Sequence, residues 1–217
     1  MILFNDHILL VHNPKTAGTS LLSYLKETLV GNVRTAGIQQ LGTYHPSLSM
    51  ALGYACGVTG RMGFDRVLSV IRNPFDREVS MYLYFREVLS TSPGLATDLP
   101  DLAMQKRVFK SAELDFKDYI KWLWNTEGTV DVWRSRCFYE MAEGWTLEGL
   151  QVLRFEHLKD DLAKALGKTI VELPDLNKSM RKPTAHYFDA ETYDKVLKSY
   201  YWMFYSGYYS EQDVPSS

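Results

Sequence analysis

Cysteine is scarce in this chain. Its 217 residues include two, Cys56 and Cys137, far apart and in no CxxC or CxxH arrangement. Such spacing offers neither a zinc site nor a disulfide framework, and the pair reads as two reduced thiols. Long apolar runs are missing as well. No window reaches the roughly 18 apolar residues of a spanning helix, and no basic stretch followed by an apolar one opens the chain, so no leader or anchor is expected. The expectation is a cytoplasmic protein with no membrane partner. Blocks of like charge are also absent: 24 Lys and Arg face 26 Asp and Glu, for a net charge of −2. Bulk electrostatics therefore give no reason to expect nucleic-acid binding, and any anion site must be local. There is no internal repeat and no low-complexity tract.

What remains is ordinary globular material, 46% hydrophobic and 23% charged, enough to build a core without staples. The length suits a single domain over 1–217, with a surface loop at about 90–100 ("STSPGLATDLP") and a frayed tail over 211–217. Ile8–Val11 reads as a short buried strand, and residues 20–29 as a helix with Leu21, Leu22, Leu25 and Leu29 on one side. A second strand, "RVLSVI", leads into a helix start where Asn73 can cap, Pro74 suits the first position and Asp76 sits in the first turn. "FKDYIKWLWNT" reads as helical and "QVLRF" as a third strand. "HLKDDLAKALG" reads as a helix closed by Gly167, and a last helix capped by Asp189 carries Tyr193, Val196, Leu197, Tyr200, Tyr201 and Phe204 at helical spacing. Strands alternating with helices predict an α/β fold, a P-loop-like domain whose central, mostly parallel sheet is flanked by helices on both faces. Ligands of such sheets sit beyond the carboxyl ends of the strands. Lys15 and Arg72, each just after a strand, fall there.

"HNPKTAGTS" joins the first strand to its helix. Thr16, Ala17, Gly18, Thr19 and Ser20 can turn successive backbone N–H groups towards an anion. Ala17 and Gly18 permit close approach, and the helix adds its positive end. Lys15 supplies a mobile point charge. The usual GxxxxGK[ST] spacing is missing, because the lysine precedes the glycine. A strand–turn–helix corner with a surface lysine would give the same pattern. After the second strand, Arg72 can hold a phosphate bidentately, and the hydroxyl of Ser80, two turns into the helix, can add to it. The alternative for Arg72 is a salt bridge to Asp76, with Ser80 merely small. Taken together, the two loops predict two phosphate sites on one nucleotide.

These segments resemble a known family. "HNPKTAGTS" is similar to the 5′-phosphosulfate loop of the sulfotransferase superfamily, and "VLSVIRNPFDREVSMY" to its 3′-phosphate segment. "LRFEHLKDDL" resembles a third family stretch, and the style is nearest the carbohydrate-type branch. The resemblance covers most of residues 7–208. It implies 3′-phosphoadenosine 5′-phosphosulfate as sulfonate donor and adenosine 3′,5′-bisphosphate as product. It also implies that Lys15 contacts the bridging oxygen between phosphate and sulfonate, with no metal required. The acceptor would be a carbohydrate or small molecule offering a hydroxyl or amine. One departure is "YYWMFYSGY" near the C-terminus, which lacks an acidic residue common in the family.

Transfer to a hydroxyl or amine needs a base. Among five histidines, His45 in "GTYHPSL" occupies the position where similar enzymes carry one, and an ordinary imidazole titrates near neutrality. A surface loop histidine is the alternative. His12 would pack beside the anion loop, and His157 would cap or flank its helix. Arg181 or Lys182, in a basic loop, could reach the 3′-phosphate or simply be solvated. Trp122, Trp124 and Trp133 could line an acceptor cleft, or be core. Two other classes compete: an ATP- or GTP-dependent phosphotransferase with a rearranged loop, and a nucleotide-binding module without turnover.

Overall fold

A computed structural model describes residues 1–11, 13–28, 32–36, 45–94, 102–127, 136–139, 147, 149–170, 172–174 and 181–214. In chain order the elements are β1 (Ile2–Phe4), β2 (Ile8–Val11), α1 (Gly18–Thr28), β3 (Val33–Thr35), α2 (Leu48–Thr59), β4 (Arg66–Ile71), α3 (Pro74–Thr91), α4 (Leu102–Glu113), α5 (Phe116–Glu127), α6 (Arg136–Tyr139), β5 (Leu150–Arg154), α7 (Leu158–Leu166), α8 (Ala190–Ser199) and α9 (Tyr201–Tyr205). The chain divides into two compact units, Met1–Arg72 with Ser135–Asn177, and Asn73–Arg134 with Lys178–Ser217.

The first unit holds the sheet, in the order β3-β1-β2-β4-β5. β4 pairs in parallel with β2 and with β5, whereas β1 runs antiparallel to both β2 and β3. The sheet is therefore mixed, not mostly parallel; the expected parallel arrangement holds for β2, β4 and β5. The correction has a local cause. Asn5 and Asp6 take left-handed φ values of 48° and 59°, a conformation these two side chains tolerate better than most, and they turn β1 back onto β2 before the first strand read from the sequence begins.

Alternation along the strands divides the core between two faces. Ile2, Leu10, Leu68, Val70 and Leu153 point to one face, where Leu21, Tyr24 and Leu25 of α1 and Leu158, Leu162 and Leu166 of α7 cover them. Leu3, Leu9, Val11 and Val67 point to the other, against Leu48, Ala51 and Ala55 of α2. Helices thus flank both faces, as expected. Each buried leucine contributes about 1.5–3 kcal/mol, so the position of α1 over the sheet, and of the loop leading into it, is firmly set. Gly167 ends α7 at φ 64°, as the sequence indicates.

The second unit is helical among its described residues. Asn73 caps α3, its Oδ1 accepting from the Phe75 and Asp76 amides at 3.1 and 3.4 Å, with Pro74 in the first turn. The aromatic content goes largely into packing here. Phe75 stacks on Tyr193 at 4.8 Å and meets Phe188 edge-on at 5.2 Å, and Phe116 meets Phe188 at 5.0 Å. Trp122 lies 5.9 Å from Tyr119, and the Trp124 ring carries the Lys195 ammonium 5.2 Å above it. Trp133 lies outside the described residues.

One expectation is corrected in this unit. The last helix breaks at Tyr200 (φ −116°, ψ 19°) into α8 and α9, because the Tyr200 hydroxyl is held by the buried pair Arg77 and Glu78. Tyr201, placed on the buried face by spacing, is exposed as a result. In the stretch read as a tail, Asp213 caps reciprocally with Ser210 and its carbonyl accepts a hydrogen bond from Asn73; 215–217 lie outside the described residues. Ser90 and Thr91 belong to α3, their hydroxyls donating back to the Glu87 carbonyl, and 95–100 lie outside the described residues.

Candidate functional site

The loop after β2 is tied down at Asn13. Asn13 is fully buried, and its Nδ2 donates to Ser69 Oγ at 3.1 Å and to the Val70 carbonyl at 3.0 Å, both on β4. Thr16, also buried, donates its hydroxyl to the Asn13 carbonyl at 2.9 Å. Around these anchors the backbone takes an unusual course. Lys15 and Ala17 have φ values of 61° and 62°, the left-handed region that costs a residue with a Cβ roughly 1–2 kcal/mol. Two such residues within three positions persist only because the surroundings over-determine them, a pattern that concentrates at functional sites.

α1 follows at once. Its first hydrogen bond runs from the Leu21 amide to the Ala17 carbonyl at 2.9 Å. The amides of Gly18, Thr19 and Ser20 precede that bond, in the turn that has no acceptors within the helix. No acidic side chain occupies this first turn, so the positive end of α1 is not offset by its own sequence. The sequence-predicted residues Lys15, Thr16, Ala17, Gly18, Thr19 and Ser20 are therefore contiguous in one bend at the carboxyl end of β2.

Arg72 joins them from β4. It is 8% exposed, and its NH1 donates to the Lys15 carbonyl at 2.9 Å. The guanidinium carbon lies 4.1 Å over the ring of Phe155, the residue after β5. The Lys15 carbonyl and the side chains of Arg72 and Phe155, which follow three parallel strands, thus meet at one rim of the sheet, where ligands of α/β proteins bind. Sequence reasoning missed Phe155, taken as a strand residue, and Asn13. An asparagine just before Pro14 at a strand end was the available signal for the second.

The other predicted residues belong to other elements. Ser80 is buried on α3 of the second unit. His45 is half-buried in a bend three residues before α2, close in sequence to Ser47, whose hydroxyl caps that helix. Arg181 does not point freely into solvent: it binds Asp76 through the Oδ1 atom and, at 3.2 Å, the carbonyl, and Thr184 donates to the same Oδ1 at 2.9 Å. Lys182 is exposed. His7 pairs with Asp65 at 3.2 Å, His157 precedes α7 without capping it, and His12 lies outside the described residues. Cys56 is a free thiol.

No family model, curated protein or solved structure matches the chain. Among the described residues no group of His, Cys, Asp and Glu could hold a metal ion, and no helix is long and apolar enough to cross a membrane.

Proposed function

We propose that the protein is a sulfotransferase that uses 3′-phosphoadenosine 5′-phosphosulfate and transfers its sulfonate to a hydroxyl or amine of a carbohydrate or small molecule. The observation that carries this reading is the 2.9 Å hydrogen bond between Arg72 and the Lys15 carbonyl, 57 positions apart. It brings together the two segments that resemble the donor-binding motifs of the superfamily. The P-loop-like character of the domain belongs to the same proposal.

The residues at the rim fit an anionic donor. Two cations, a left-handed bend and a helix N-terminus with no acidic residue in its first turn suit an anion. When bound, the donor would supply an activated sulfonate. Lys15 would hold the 5′ end and stabilise the charge that grows on the bridging oxygen. Thr16, Ala17, Gly18, Thr19 and Ser20 would orient it through backbone donors, with the Thr19 and Ser20 hydroxyls adding to them. Arg72 and Ser80 would hold the 3′-phosphate, and His45 would take the acceptor proton. The assignments of Ser80 and His45 rest on the resemblance alone.

The direct test is transfer of labelled sulfonate from the donor to a panel of sugars, phenols, alkyl alcohols and amines. A labelled product formed by the wild type and lost in Lys15→Ala supports the reading. Donor binding with no transfer to any acceptor favours a module without turnover.

A further inference from the structure

We infer that Phe155 is a positioning residue for the Lys15 loop, acting through Arg72. The Lys15 loop is strained. Lys15 at φ 61° would relax towards an ordinary conformation unless its peptide were held. The hydrogen bond from Arg72 NH1 to the Lys15 carbonyl supplies that hold. The Phe155 ring backs the same group, the guanidinium carbon lying 4.1 Å over the ring centroid, within cation–π range. Arg72 is thereby held between a ring and a carbonyl.

Phe155 is itself well placed. It packs partly buried against the core cluster of β4, β5, α1 and α7. It opens the single 3₁₀ turn Phe155–His157, and the preceding Arg154 amide donates to Asp161 Oδ2 at 2.9 Å. The arrangement therefore transmits the position of the β5–α7 corner to the loop after β2, two strands away. Phe155 needs no contact with a ligand to do this. The inference rests on the proposed function only for what the loop is used for; the clamp itself is independent of it.

The test is amide hydrogen exchange on the full chain without ligand, comparing wild type with Phe155→Leu and Phe155→Tyr. Leucine keeps apolar bulk and removes the aromatic face, whereas tyrosine keeps the face. Peptides covering 13–21 should exchange roughly three- to tenfold faster in the leucine variant, the scale of a lost cation–π contact, and at the wild-type rate in the tyrosine variant. Peptides from α2 should not change in either. Wild-type exchange in Phe155→Leu, equal acceleration in both variants, or acceleration spread evenly over the unit would overturn the inference. Binding of adenosine 3′,5′-bisphosphate to the wild type judges the functional reading separately. A wild type that ignores the bisphosphate, with a loop loosened only in Phe155→Leu, keeps the clamp and removes the nucleotide.

Discussion

Arg72 and Lys15 are joined side chain to backbone: the guanidinium donates to the lysine carbonyl at 2.9 Å and leaves the lysine ammonium uninvolved in that bond. The two cations therefore have separable tasks, and their variants should fail differently. Lys15→Ala should fold normally and lower turnover by about 10²–10³, the scale of losing one transition-state donor, with a smaller effect on bisphosphate affinity. Arg72→Ala should weaken bisphosphate binding about 10-fold or more, as expected for a charge-assisted hydrogen bond. Arg72→Lys should not restore it, because an ammonium cannot both stack on Phe155 and donate in plane. Titration calorimetry and steady-state kinetics read both, and identical kinetic patterns in the two alanine variants would contradict the division.

His45→Ala should cut turnover by roughly 10²–10⁴, the range for loss of a general base, while leaving bisphosphate affinity unchanged. Undiminished turnover would remove His45 from the mechanism.

In the second unit Arg77 and Glu78, 1% and 3% exposed, form an ion pair at 3.1 Å to which Tyr200 adds its hydroxyl. Glu78→Ala would strand a buried guanidinium and should cost about 3–5 kcal/mol. Tyr200→Phe should cost about 1.5–3 kcal/mol, since the lost hydrogen bond goes to charged groups. Urea denaturation checks both, and a Glu78→Ala protein as stable as wild type would refute the account of the break between α8 and α9.

The α-amino group of Met1 donates to the Ala36 carbonyl at 3.0 Å, and burial lowers its pKa from 8.0 to about 6. The unfolded chain then binds the proton more tightly than the folded one, so stability should rise with pH between 6 and 8. A displacement of this size corresponds to about 2–3 kcal/mol. Acetylating the amine should abolish this part of the pH dependence in denaturant titrations; an unchanged slope would show that the group does not titrate as described.

Asp189 accepts from both the amide and the hydroxyl of Thr192, which hold its carboxyl below the usual range. Its contribution to α8 is present above the ordinary carboxylate pKa and is lost as pH falls through the depressed one. Asp189→Ala should cost about 1 kcal/mol at neutral pH, the worth of an N-cap. A smaller difference from wild type in strong acid would follow.

Much of this was readable in the sequence where the cause was local. Asn73, Pro74, Gly167 and Asp189 announce helix ends because capping involves only neighbouring residues, and all four act as their chemistry indicates. β1 was not legible: three residues are too few for a periodic signal, and its antiparallel pairing depends on the turn at Asn5 and Asp6. Tyr201 illustrates a second limit. Helical spacing puts it on the buried face, but a bond formed by Tyr200 with residues more than 120 positions away breaks the helix. At the candidate site, Lys15 and Arg72 were visible as cations after strands. Phe155 was not, because its task is to face Arg72 and only the parallel pairing of β4 with β5 brings them together.

The central claim is a site for a nucleotide carrying phosphate at both 3′ and 5′ positions. Thermal unfolding in EDTA with adenosine 3′,5′-bisphosphate, compared with ATP, tests it most directly. A ligand that binds only the native state stabilises it by about 2.7 kcal/mol at a hundredfold excess over Kd. The account predicts a raised melting temperature with the bisphosphate, little change with ATP, and loss of the bisphosphate effect in Arg72→Ala. Equal shifts with ATP, or a shift that requires Mg²⁺, would contradict it.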